Sequence, residues 1–144
     1  MYTKIQVVFD AAEPEKLAEF WGQALGYVSE PPPEGFASWE EFARDAGIPE
    51  EEFGAVASRI DPAGEGPRLY FQRVPEGKTA AKNRVHLDIR VAGREIHGEE
   101  RRRLVSEKVE RLVQAGASLA WVNDTVRGSS IVMRDPEGNE FCVS

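Results

Sequence analysis

Apolar and polar residues alternate near the start of the chain, Ile5, Val7 and Phe9 against Lys4, Gln6 and Asp10, with Val8 the apolar exception on the polar side. A period of two is that of a strand, so Lys4 to Asp10 is predicted to form one. The period then lengthens. Pro14 stands where a first helical residue belongs, Leu17, Phe20, Trp21 and Leu25 follow at helical spacing, and Gly26 closes the helix before a short strand at Tyr27-Val28. From Ser29 to Gly54 the pattern breaks. Pro31-Pro32-Pro33 suits neither a helix nor a central strand, and Ser38-Trp39-Glu40-Glu41 reads as a capping box opening one short helix. This segment is an inserted loop whose Trp39, Phe42 and Phe53 either cap a cleft or, as the simpler reading, anchor the loop itself.

Ala55 to Asp61 and Arg68 to Val74 form a hairpin pattern, and the polar stretch from Pro75 to Asn83 reads as a linker. The second half repeats the order. Val85, Leu87, Ile89 and Val91 alternate with Arg84, His86, Asp88 and Arg90. A helix is predicted from Glu99 to Ala115, burying Val105, Val109, Leu112 and Val113 and capped by Gly116. Three strands follow, at Leu119 to Val122, Ser130 to Arg134 and Asn139 to Val143. The two halves share a turn: Asp61-Pro62-Ala63-Gly64 is echoed by Asp135-Pro136-Glu137-Gly138, with Asp, Pro and Gly at the corners a type I turn prefers. The expected fold is α+β, two βαβββ modules at about residues 1–76 and 84–144 in a single domain, forming a cupped mixed sheet around one cavity. Alternation places Gln6, Val8 and Asp10, and later His86, Asp88 and Arg90, on the concave side.

Composition narrows the function. A chain of 144 residues suffices for one core, and a net charge of −7 argues against a nucleic-acid partner. Arg101-Arg102-Arg103 point different ways on a helix and read as a solvated face. The lone Cys142 excludes an internal disulfide, no apolar run approaches a membrane span, and the N-terminal residues lead into a strand pattern and not a signal peptide. The cytoplasm is the expected location.

Three stretches carry a family resemblance: Asp135-Pro136-Glu137-Gly138-Asn139-Glu140-Phe141, the segment Asp10 to Gly26 with Phe20-Trp21 and Leu25-Gly26, and Arg84-Val85-His86-Leu87-Asp88-Ile89. In these the chain resembles the vicinal oxygen chelate superfamily, in its glyoxalase-like and bleomycin-resistance-like branch. Tyr70 to Glu76, with Lys82-Asn83-Arg84 and His86, is most similar to a poorly characterised glyoxalase-like subgroup. The resemblance implies the glyoxalase/bleomycin resistance/dihydroxybiphenyl dioxygenase-like fold, a small-molecule ligand and a homodimer. Metal-dependent members place ligands on the first, fourth, fifth and eighth strands. Matched by position, these fall on Gln6, near Tyr70 or Gln72, on His86 and on Cys142, with Glu140 two residues earlier on the same face.

The two carboxylates that would neutralise an ion are missing from those positions, so the expectation is no full metal site and no cofactor. The alternative is a divalent metal using Cys142 as thiolate with Glu140. His86 is the residue of greatest interest. A lone strand His is most often structural, yet this one lies on the polar side of its strand with Asp88 two residues on, and a His can act as general acid or base near neutral pH. Gln6, Tyr70, Gln72, His86, Asp88, Glu140 and Cys142 are the expected ligand contacts. Cys142, flanked by Phe141 and Val143, otherwise reads as inert packing, and His97 as a loop residue. Lys78, Lys82 and Arg84 either draw an anionic ligand or simply solubilise the linker. Two functions remain: a binding protein without a full metal site, or a glyoxalase-like lyase or isomerase with His86 as catalytic acid/base. An interaction module with no small ligand is the plainer third.

Overall fold

In the computed structural model, which describes residues 2–126 and 128–144, the chain divides into two compact units, Met1–Gly77 and Lys78–Ser144. The first contains β1 (Gln6–Ala11), α1 (Pro14–Leu25), β2 (Val28–Ser29), α2 (Trp39–Asp45), β3 (Val56–Ile60) and β4 (Arg68–Arg73). The second contains β5 (Leu87–Ile89), α3 (Gly98–Gln114), β6 (Ser118–Thr125), β7 (Gly128–Arg134) and β8 (Glu140–Val143). Each therefore follows the βαβββ plan, and each builds a four-stranded mixed sheet, ordered β1-β4-β3-β2 in one and β5-β8-β7-β6 in the other. In both, the unit's last strand lies beside its first, in parallel, and antiparallel to its third.

Pro14 opens α1, where its missing N–H removes no helical bond, and Gly26 ends it with φ 72°. One face of α1 buries Leu17, Phe20 and Trp21 against the sheet. There the ring of Phe9 stacks on Phe71 with centroids 5.0 Å apart and meets Trp21 at 5.1 Å. Leu69 and Phe71 are buried while Tyr70 and Gln72 point the other way, as alternation predicts. In the second unit Leu112 of α3 is buried, as are Ile89, Met133, Phe141 and Val143 of the sheet.

The two Asp-Pro-x-Gly sequences form matching turns. The N–H of Gly64 donates to the carbonyl of Asp61, and that of Gly138 to the carbonyl of Asp135, both at 2.9 Å. Gly64 and Gly138 hold φ of 73° and 86°, the left-handed region that glycine enters without steric cost. The capping box is present in modified form: Ser38 Oγ accepts from the Glu41 N–H, but the Glu41 carboxylate reaches back to the N–H of Ala37 and not to that of Ser38. The insertion's aromatic residues hold the insertion. Trp39 Nε1 donates to the Glu30 carbonyl, and Phe42 meets the rings of Phe36 and Trp39 edge-on.

Several expectations are corrected. The fifth strand is only Leu87–Ile89, and Val85 is 82% exposed. Its sole ladder partner is β8, which starts at Glu140, so nothing extends the ladder back to Val85. Ile5 is 71% exposed because pairing of β1 begins at Gln6, opposite Arg68 and just past Pro67, which has no N–H to offer. Val113 is exposed because α3 is rotated to place Val105, Lys108 and Leu112 inward. Burial there, with the charge of Arg111, lowers the Lys108 pKa. The end of α3 is capped by Ala115, one residue before Gly116.

Candidate functional site

The sheet of the second unit turns Leu87, Phe141 and Met133 to its core face, so the residues between them belong to the opposite face. Register places Asp88 beside Cys142, Cys142 beside Val132, and Val132 beside Trp121. Glu140 lies beside Arg134 one step along β8, and His86 immediately precedes β5. A cavity of about 180 Å³ opens on this face, lined by His86, Glu140 and Cys142 together with Lys82, Trp121 and Asn123.

Glu140 is 4% exposed. Its Oε2 accepts from Lys82 Nζ at 3.2 Å and from the Asn83 N–H at 3.4 Å. Its Oε1 is buried with no hydrogen-bond partner among the described residues. Burial alone would raise the pKa of this carboxyl. The hydrogen bond and charge of Lys82, the Asn83 N–H and the charge of Lys78 more than offset it, so the group titrates below the usual range. An ionised carboxylate with one oxygen unbonded in a cavity is costly to bury, and a donor brought by a ligand would relieve that cost.

Cys142 is buried, and burial first, then the negative charge of Asp88, push its thiol pKa up; the Ser130 hydroxyl acts the opposite way. The sulfur is therefore a neutral thiol near pH 7 and not a primed nucleophile. His86 Nε2 stands 3.2 Å from Asp88 Oδ1, with the two side chains 42% and 55% exposed. Strand rise alone separates such residues by roughly 6–7 Å, but the side chains converge. One donor atom each from His86, Asp88 and Cys142 lies within 4.8 Å of the others. Lys82 also sits 5.5 Å over the ring of Trp121, so this linker residue contributes to the site.

The other expected residues occupy the open face of the first unit's sheet. Gln6 Oε1 accepts from Arg68 Nη1 at 2.7 Å, while Arg68 also makes a forked pair with Glu30 at 2.6 and 3.1 Å. Arg68 lies over the ring of Tyr70, and Gln72 Nε2 donates to Asp10 Oδ1 at 2.9 Å. Thus Gln6 and Gln72 already hold protein partners. Lys82 was expected either to draw an anionic ligand or to solubilise the linker, and not as a partner of Glu140, while Asn83 and Ser130 were not expected at the site. Ser130 shares the two-residue alternation of Val132, which was a usable signal, whereas Lys82 and Asn83 lie in a stretch with no periodicity.

The sequence of residues 6–144 matches the model of the glyoxalase-like domain family, and the chain belongs to that family. Solved structures share its fold. A glyoxalase/bleomycin resistance protein/dioxygenase family enzyme from Burkholderia phytofirmans PsJN aligns over 97% of this chain and 94% of its own, with 14% identity and a TM-score of 0.58. A glyoxalase-related enzyme from Fulvimarina pelagi aligns over 99% and 87%, with 16% identity and a TM-score of 0.59. A mutant of the fosfomycin resistance protein FosX from Listeria monocytogenes, complexed with Mn(II) and 1S,2S-dihydroxypropylphosphonic acid, aligns over 99% and 90%, with 14% identity and a TM-score of 0.59. No curated protein sequence matches the chain. Among the described residues no helix is long and apolar enough to cross a membrane.

Proposed function

We propose that this glyoxalase-like protein binds a small molecule in the cavity of its second unit without a full metal site. The observation that carries this reading is the unpartnered, buried Oε1 of Glu140 in that cavity. A charged acceptor so placed suits a hydroxyl, an amine or an N–H of a compact ligand, with Trp121 as the apolar wall and His86 and Cys142 at the sides. Asp88 pairs with His86 and lies beside Cys142 in the ladder, which adds it to the contacts of this unit. A thermal-shift screen of small amines and alcohols tests this. At least one compound should raise Tm, and Glu140→Gln should weaken its binding by about tenfold, the loss expected for a charge-assisted bond. If no compound binds, or if Glu140→Gln binds equally well, the reading fails.

A second reading, a glyoxalase-like lyase or isomerase with His86 as catalytic acid/base, is favoured by the close approach of Asp88 to the imidazole. The nitrogen, oxygen and sulfur donors of His86, Asp88 and Cys142 also fit a borderline-soft divalent ion, and these three residues would hold it. Such an ion supplies Lewis-acid polarisation of a bound carbonyl. Elemental analysis of the purified protein separates the readings: a stoichiometric transition metal that Cys142→Ser removes supports the second. The homodimer implied by the family resemblance belongs to the same proposal. It is supported by the exposed Leu119, Trp121 and Val122 on edge strand β6, and sedimentation tests it. A cytoplasmic location is likewise proposed, consistent with a single free cysteine.

A further inference from the structure

A second recess in the second unit, of about 460 Å³, shares only Asn123 with the cavity of Glu140. Arg90, Arg94, Arg101 and His97 line it, and no acidic side chain does. In a chain of net charge −7, three guanidinium groups gathered at one recess repel one another unless a negative group joins them. Arg101 is fixed there, its Nη1 donating to the carbonyls of Gly93 and Ile96 at 3.3 and 3.4 Å. Arg90 and Arg94 hold no ion pair among the described residues. The same recess meets the start of α3, where His97 occupies the cap position without a side-chain capping bond. The free N–H groups of that first turn add positive potential. Glu99 and Glu100 lie in that turn, but neither lines the recess. Of the hydroxyl residues that line the recess, Ser129 bonds to Asp124 and Thr125 to the Gly128 carbonyl, while Ser130 and Ser144 stand beside the arginines as neutral donors.

We infer that this recess binds the oxyanion group of a small molecule, a phosphate or a carboxylate, through Arg90 and Arg94. Guanidinium forks suit both groups, because each presents two coplanar oxygens to parallel N–H donors. The inference stands apart from the Glu140 cavity and survives if that reading fails. Calorimetric titration at low ionic strength with inorganic phosphate, and in a separate arm with acetate, tests it. Saturable binding of either is expected. Arg90→Ala or Arg94→Ala should weaken it by about tenfold, as loss of a hydrogen bond to a charged group does. Arg102→Ala, on an exposed position outside the recess, should leave it unchanged. The anion that binds tells a phosphate ligand from a carboxylate one. Absence of saturable binding in both arms overturns the inference. So does binding that neither pocket variant weakens, or that Arg102→Ala weakens as much.

Discussion

The two sheets follow one plan, yet their open faces differ in how far their polar groups are satisfied. On the first, Gln6, Arg68 and Glu30 bond to one another, and Gln72 bonds to Asp10. On the second, a buried carboxylate keeps a bare oxygen, a thiol is pushed towards its neutral form, and an imidazole at the same cavity pairs with the exposed Asp88. The first face is held as structure. The second retains hydrogen-bonding capacity that protein atoms do not use, which is what the proposed ligand would satisfy. Duplication of a fold therefore need not duplicate its chemistry.

The largest effect should come from the paired turns. Asp135 is 3% exposed and accepts from the N–H groups of Glu137 and Asn139 and from Asn139 Nδ2. Asp135→Ala should cost about 2–4 kcal/mol in urea unfolding, because several donors lose their partner away from water. Asp61→Ala should cost less, since water can replace its bonds to Ala63, Glu65 and Gly66. Equal losses would show that the two turns carry equal weight.

The next difference lies in titration. Glu140 has its folded-state pKa depressed, so its contribution is full above the unfolded carboxyl pKa and disappears as pH falls through the lower folded value. The slope of unfolding free energy against pH should thus flatten in the acid range in Glu140→Gln. Cys142 carries the opposite sign: its contribution is full below the unfolded thiol pKa and is lost as pH rises through the raised folded value. At pH 7 iodoacetamide should modify it about tenfold more slowly in the folded protein than in urea, and Asp88→Asn should speed the folded reaction. Fast modification of the native protein would contradict the neutral thiol.

On the first sheet, effects should be small. Arg68→Met should cost about 1 kcal/mol, because the Arg68–Glu30 pair is partly open to water. Gln72→Leu should stay within about 0.5 kcal/mol in the same measurement. A larger loss in either would make this face a more stringent structural element than its exposure suggests.

The turns and the helical stripe of α1 were legible because each depends on residues close in sequence. So was the division of Leu69 and Phe71 from Tyr70 and Gln72, which needs only a regular strand. Val85 was misread because alternation says nothing about where a ladder partner ends. Val113 was misread because Leu112 and Val105 fit two rotations of one helix, and packing chose the one that half-buries Lys108. At the site, His86, Asp88, Glu140 and Cys142 could be placed on one face from register. The reach of Lys82 to Glu140 could not, since it crosses 58 positions and begins in a loop without periodicity.

The position of the last strand in each unit has a consequence for synthesis. Because β8 separates β5 from β7, that sheet stays split until β8 itself has been made and takes its place between them. Until then β5 is an orphan ribbon and β7 a bare rim open to strangers. The bare Glu140 oxygen comes from this same late-arriving strand, so the pocket forms only when the sheet is complete.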